Sequence, residues 1–173
     1  RLVCEYLNQQ YGVGGEVNWA MAGRSQDKLE QVRDEMGIAS DVPLIVADAG
    51  KPDSVDAMVR RAQVIISTVG PYQLYGSDLV RACAEAGTDY VDLCGEPAWM
   101  HDMIAAHGDA AKASGARIVF SCGFDSIPFD LGVLFLQEKA KEKLQTPVKR
   151  VKGRVRAMQG TFSGGTLASF KAT

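Results

Sequence analysis

The residues best suited to binding a phosphate form the short run Gly23-Arg24-Ser25. This run follows a predicted strand over residues 16–22 and precedes a predicted helix, so Ser25 can cap the helix N-terminus. A guanidinium binds phosphate through two parallel hydrogen bonds, and donors at a helix N-terminus add to that attraction. In nucleotide-binding sheets, an acid at this strand end accepts the 2′-hydroxyl of NAD, whereas an arginine meets the 2′-phosphate of NADP. An arginine without an acid therefore favours NADP over NAD, and the alternative is a surface arginine beside a capping serine.

Two further strand ends carry residues that could line the same ligand. Asp48 ends the next predicted strand, where its carboxylate could accept from an adenine amino group while Ala49 lies under the ring. The alternative for Asp48 is an aspartate in a turn. The run Val69-Gly70-Pro71 ends the strand at which chain order reverses in a doubly wound sheet, and ligands bind at that point. Gly70 would let the backbone approach a cofactor closely and Pro71 would fix the exit of the chain, whereas the alternative is a plain turn.

Acidic side chains and thiols follow the last two strands of the predicted series. Glu96 and Asp125 are candidates for orienting a substrate or moving a proton near a nicotinamide ring. The alternative for Glu96 is a capping role, since it directly precedes a helix. Cys94 and Cys122 are interpreted as small core residues because no histidine lies near either of them in sequence.

The composition excludes several classes of protein. The 173 residues include 19 Lys and Arg against 21 Asp and Glu, and a net charge of −2 gives no global reason to bind nucleic acid. No apolar run approaches the ~20 residues that span a bilayer, and no signal peptide pattern is seen. The four cysteines form no C-x-x-C pair, and the two histidines lie six residues apart on one predicted helix, so we expect neither a disulfide framework nor a metal site. A cytoplasmic protein with reduced thiols is expected.

Strands and helices alternate along most of the chain. Strands are predicted at 16–22, 43–47, 64–69, 90–93 and 116–121, with helices between them, and this rhythm predicts an α/β fold with a parallel sheet covered on both faces. A helix is already running at Arg1, so we expect a first strand and a phosphate-binding glycine loop to precede it.

The regular alternation of predicted strands and helices ends after residue 121. A helix over 128–143 is apolar on nearly all sides, and the alternation over 148–158 predicts a half-buried antiparallel strand. The stretch 139–156 holds eight Lys or Arg residues and one Glu. We interpret it as a solvated helix end and strand face, and the alternative is a contact for an acidic substrate or partner.

Several of these runs together resemble the saccharopine dehydrogenase-like oxidoreductase family, which includes bacterial trans-acting enoyl reductases. The matching runs are 22–25, 69–72, 90–96, 122–132 and 164–169. The resemblance implies a Rossmann-type doubly wound parallel sheet over 1–127, a connecting helix over 128–147 and the start of a second, catalytic α+β domain over 148–173.

The resemblance also implies an activity. It implies hydride transfer from NADP, less so NAD, to an enoyl, imine or carbonyl group of a small-molecule or acyl substrate, with this chain inactive by itself. A homodimer is compatible with it, and neither nucleic acid nor a membrane is an expected partner. The alternative is a non-catalytic nucleotide-binding or scaffold protein on the same fold, which fold alone does not exclude.

Overall fold

Helices and strands alternate in the computed structural model, which describes residues 1–160 and 164–172. The helices are α1 (Leu2–Tyr11), α2 (Gln26–Glu35), α3 (Pro52–Val59), α4 (Tyr72–Tyr75), α5 (Ser77–Ala86), α6 (Pro97–Ser114), α7 (Ile127–Leu144) and α8 (Gly164–Ala172). The strands are β1 (Met21–Gly23), β2 (Leu44–Val46), β3 (Val64–Ser67), β4 (Asp89–Asp92) and β5 (Ile118–Val119).

The strands form two parallel sheets. In one sheet β1 pairs with β2, and in the other the order is β3-β4-β5. All the observed strand pairs are parallel, and helices lie between successive strands, so the predicted α/β fold of parallel strands with flanking helices is confirmed. The chain divides into two compact units, a first unit of Arg1–Arg61 and a second unit of Ala62–Thr173.

The first unit is built around the junction of β1 and α2. Met21 on β1 and Leu29 on α2 are both buried, together with Ile38 and Val42. Helix α2 begins as predicted, because the Ser25 hydroxyl accepts a hydrogen bond from the Lys28 N–H at 3.4 Å. These contacts fix the turn that carries Gly23-Arg24-Ser25.

The second unit buries one face of its sheet under α5 and α6. Tyr90 is fully buried, and its ring packs edge-on against Phe120, which in turn contacts Trp99. Helix α5 ends at Gly87, whose positive φ of 75° permits the turn into β4. This packing brings the carboxyl ends of β3, β4 and β5 to one edge of the sheet.

Several local predictions differ from the structure. Of the predicted strand over 116–121, only Ile118–Val119 is formed. Residues 148–160 contain neither helix nor strand, so the predicted antiparallel strand over 148–158 is wrong. An isolated strand leaves its backbone groups without partners, and the described residues supply no strand beside it. Only the end of the predicted strand over 16–22 is formed, because residues 13–17 bend. Helix α4 was not predicted. The domain limits at residues 127 and 147 stay predictions.

Candidate functional site

A cleft of about 540 Å³ opens in the first unit at the carboxyl ends of β1 and β2. The predicted residues that line it are Gly23, Arg24, Ser25 and Asp48, with Lys28, Leu29 and Val32 from α2. Lys28 was not predicted as a binding residue. Its position three residues after the capping Ser25, in the first turn of α2, was the signal that could have revealed it. Ala49 follows Asp48 in the turn and is not among the lining residues.

The cleft has a positive lining. Arg24 and Lys28 are exposed, and within the described residues neither side chain forms an ion pair. Both cations are therefore available to an anion at the start of α2, where the helix dipole also favours negative charge. Gly23 keeps the turn tight, since a Cβ there would lie 3.2 Å from a Leu29 methyl carbon.

Asp48 is held in a turn. One of its carboxylate oxygens accepts from the Gly50 N–H at 3.0 Å, and its own N–H donates to the Ser54 hydroxyl at 3.1 Å. This is the turn geometry considered as the alternative for Asp48. The same carboxylate still lines the cleft, so the turn orients it beside the two cations.

A second cluster of predicted residues lies at the sheet edge of the second unit. Its organising residue is Asp92, which is 3% exposed and was not predicted. One Asp92 oxygen accepts from the Cys94 and Ser121 N–H groups at 3.0 and 2.9 Å, and the other accepts from the Tyr90 hydroxyl at 2.8 Å. Asp92 thereby joins the loop after β4 to the loop after β5.

Glu96 joins the loop after β4 to the loop after β3. It is 4% exposed, and its Oε1 accepts from the Tyr72 N–H at 3.0 Å and from the Ser169 hydroxyl at 2.9 Å, while its Oε2 accepts from the Gln73 N–H at 2.8 Å. Glu96 makes no side-chain hydrogen bond to the helix that follows it, α6. Its carboxylate instead caps α4, a helix 24 residues earlier in the chain.

The loop after β3 is closely packed. Pro71 is buried, and a Cβ at Gly70 would lie 3.5 Å from both the Ser169 hydroxyl oxygen and the Tyr72 ring. Val69 is 49% exposed. Gly70 and Glu96 therefore lie in one neighbourhood, as expected of strand ends in a parallel sheet.

Asp125 stands apart from Glu96. It is exposed in the loop after β5, and no hydrogen bond within the described residues connects the two side chains. The loop itself is close to the end of β4, since a Cβ at Gly123 would lie 3.0 Å from the Leu93 Cβ. The two acids thus share a sheet edge without forming a hydrogen-bonded pair.

The thiols and the tyrosine near this edge are held in their neutral forms. Cys94 is fully buried, and burial raises its pKa to about 12. Burial likewise raises the pKa of Tyr72 to about 12, and it raises the pKa of Cys122. Such groups are poor nucleophiles near neutral pH, which agrees with the interpretation of Cys94 and Cys122 as packing residues.

The described residues provide neither a metal-binding cluster nor a membrane-spanning helix. Over residues 1–160 and 164–172, no group of three or more His, Cys, Asp or Glu side chains is arranged to hold a metal ion. Among the helices described, none combines the length and the apolar character needed to cross a bilayer.

The sequence is similar to that of a known family over most of its length. Residues 1–119 match the family described as the saccharopine dehydrogenase NADP binding domain. A Mycobacterium tuberculosis relative is 45% identical over 170 residues, which are 98% of this chain and 40% of that protein. Trans-acting enoyl reductases of Mycobacterium ulcerans and Mycobacterium leprae are 48% and 46% identical over 153 residues, which are 87% of this chain and 37% of each enzyme. The chain thus spans about two fifths of the length of these relatives.

The fold is similar to that of apo saccharopine dehydrogenase (L-Glu forming) from Saccharomyces cerevisiae. The TM-score is 0.59 over 84% of this chain and 30% of that chain, at 16% identity. At this identity the likeness shows the fold alone, which is Rossmann-like. The family match confirms the predicted resemblance and the predicted NADP cofactor.

Proposed function

Because the chain belongs to the saccharopine dehydrogenase NADP-binding domain family, we propose that it is the cofactor-binding part of an NADP-dependent oxidoreductase. The observation that carries the proposal is the cleft at the end of β1, where Arg24 and Lys28 stand beside the N-terminus of α2. Neither cation is neutralised by an ion pair within the described residues. The dianionic 2′-phosphate of NADP would be attracted by these two cations, whereas the uncharged 2′-hydroxyl of NAD would form no ion pair with them.

Each group in the cleft has a distinct part in holding the adenosine end of the cofactor. Arg24 binds the 2′-phosphate through two parallel hydrogen bonds, and Lys28 adds a point charge from the first turn of α2. Ser25 is already committed to capping α2, so it orients the helix end more than it binds the phosphate. The Asp48 carboxylate accepts from the adenine amino group.

At the sheet edge of the second unit, side chains of the loops after β3, β4 and β5 would hold the backbone in place around the nicotinamide end of the cofactor. Bound NADPH supplies the hydride. A ligand can approach the end of β3, the point of chain reversal in this fold, beside the half-exposed Val69 and Gly70. Glu96 keeps α4 in place, and the exposed Asp125 is the acid free to orient a substrate or to move a proton. The substrate is an enoyl group on an acyl chain, in line with the names of the similar mycobacterial enzymes.

A second candidate is a chain that binds the cofactor and leaves the chemistry to other residues. The observation that favours it is the state of Glu96, since both of its oxygens accept from backbone N–H groups and neither is left for proton transfer. The two candidates differ in one measurement, the oxidation of NADPH by the gene product that contains these residues. Enoyl thioesters and keto acids form the substrate panel, and turnover that falls in Asp125→Asn supports the enzyme.

The cofactor proposal is tested by titrating NADPH and NADH against the gene product and its Arg24→Ala variant. A charge-assisted hydrogen bond contributes roughly 1.5–3 kcal/mol, so the variant should bind NADPH about 10- to 100-fold more weakly and NADH almost as before. Arg60→Ala is the matched control, because it removes an exposed arginine at the end of α3 and leaves the cleft intact. A wild type that prefers NADH, or an Arg24→Ala variant that weakens both cofactors equally, would show that the assignment is wrong.

A further inference from the structure

Ser169 on helix α8 contacts the sheet edge of the second unit. The Ser169 hydroxyl donates to Glu96 Oε1 at 2.9 Å, although the two residues are 73 positions apart. The same hydroxyl oxygen is 3.5 Å from the place where a Cβ of Gly70 would stand. Ser169 therefore touches both the capping carboxylate and the loop after β3.

The contact forms part of a chain of hydrogen bonds. Ser169 donates to Glu96, and Glu96 accepts from the N–H groups of Tyr72 and Gln73 at the start of α4. Glu96 is 4% exposed, and its hydrogen bond from the Tyr72 N–H is buried, so water does not readily replace a partner that this carboxylate loses there. The position of the loop that ends in Pro71 is thus set from two sides, by the carboxylate and by α8.

We propose that Ser169 is a positioning residue for the nicotinamide half of NADP, acting through Glu96 on Gly70 and the start of α4. This inference rests on the proposed function, because it takes the end of β3 to be the point that the nicotinamide half approaches. It adds α8 to the parts of the chain that shape the cofactor site. In this proposal Ser169 fixes the loop after β3, and that loop contacts the nicotinamide half of NADP.

The experiment compares two ligands on the gene product that contains this chain. NADPH carries both the 2′-phosphate and the nicotinamide, whereas adenosine 2′,5′-bisphosphate carries the 2′-phosphate and no nicotinamide. Ser169→Ala should weaken NADPH binding by about three- to tenfold, the effect of one lost hydrogen bond, and should leave the bisphosphate unchanged. Ser169→Thr keeps the hydroxyl and should restore much of the NADPH affinity. Ser40→Ala, which removes an exposed hydroxyl in the first unit, is the matched control.

Hydrogen exchange gives a readout that does not depend on ligand. The amides of Tyr72 and Gln73 should exchange faster in Ser169→Ala than in the wild type, and Ser169→Thr should slow them again. Equal NADPH affinity in Ser169→Ala and wild type, or equal weakening of both ligands, would overturn the inference while leaving the proposed function standing. A wild type that binds neither ligand would instead overturn the proposed function and the inference with it.

Discussion

Replacing Glu96 with glutamine should destabilise the protein far more than an isosteric change normally does. Both carboxylate oxygens accept from backbone N–H groups, one from Tyr72 and the other from Gln73. A glutamine side chain has one oxygen and one NH₂ group, and a backbone N–H cannot turn round to accept. In either orientation of the amide, the buried Tyr72 N–H or the part-buried Gln73 N–H therefore faces another donor.

The buried Asp92 provides the matched comparison. Its Oδ1 accepts from the Cys94 and Ser121 N–H groups, and within the described part of the chain its Oδ2 accepts from the Tyr90 hydroxyl alone. In Asp92→Asn the amide oxygen can keep both backbone bonds while the NH₂ donates to the Tyr90 oxygen, because a hydroxyl both donates and accepts. No backbone group is left without a partner.

The two variants therefore differ in which donor loses its acceptor. In Glu96→Gln it is a backbone N–H, which cannot turn away, whereas in Asp92→Asn it is the Tyr90 O–H, which can turn to the Ser67 hydroxyl. Loss of charge assistance costs about 1 kcal/mol in each, and an unsatisfied buried N–H costs a further 1–3 kcal/mol or so in Glu96→Gln alone. We expect the free energy of unfolding to fall by about 1 kcal/mol in Asp92→Asn and by about 2–4 kcal/mol in Glu96→Gln.

Urea denaturation followed by circular dichroism measures the difference, with the slope checked for each variant. Glu85→Gln is the control, since Glu85 is exposed and pairs with the Arg81 guanidinium on its own helix. It should change the free energy of unfolding by less than about 0.5 kcal/mol. Equal losses in Glu96→Gln and Asp92→Asn, or a larger loss in Asp92→Asn, would refute the hydrogen-bond argument.

Two further predictions concern the second unit. The Arg117 guanidinium beside Asp89 lowers the pKa of that carboxyl, so the pair stabilises the fold above the unfolded aspartate pKa of about 3.9 and stops doing so as pH falls through the lower folded value. Urea midpoints of wild type and Asp89→Asn should accordingly differ at neutral pH and converge in acid, and a gap that is constant from neutral to acid pH would contradict this. Gly76→Ala should destabilise the protein by about 1–3 kcal/mol, because the new Cβ would stand 2.6 Å from the Trp99 ring and 2.8 Å from the Tyr72 carbonyl oxygen. Gly108→Ala, in the interior of α6 with no atom within 4 Å, should instead be neutral or stabilising by up to about 1 kcal/mol, and similar thermal midpoints for the two variants would count against this account.

The order of elements could be predicted because its signals are local. Ser25 caps α2, and Pro52 and Pro97 begin α3 and α6, each as expected from the preference of these residues for a first helical turn. The strand over 148–158 was predicted from alternation alone. Alternation shows which face of a strand would be buried, but a strand also needs hydrogen bonds from a neighbour, and the sequence does not name that neighbour.

The candidate site was predicted where its residues are close in sequence. Arg24, Ser25 and Lys28 lie within five residues around the start of α2. The observed lining adds Lys28, Leu29 and Val32 to the predicted residues and leaves out Ala49. The second cluster depends on contacts between residues 21 to 73 positions apart. No local pattern reveals that Glu96 caps α4 and not the helix directly after it, since an acid before a helix is the same signal in both cases.

The two clusters use charge in opposite ways, and this decides which experiments can tell them apart. Arg24 and Lys28 are exposed, so they keep their hydration and their charge for a ligand, and their loss should change binding more than stability. Asp92 and Glu96 are buried, and their carboxylates accept hydrogen bonds from backbone N–H groups. Their replacement should therefore change the free energy of unfolding more than it changes ligand binding. A variant at Arg24 that unfolds the protein, or a variant at Glu96 that alters ligand affinity without altering stability, would reverse this division of roles.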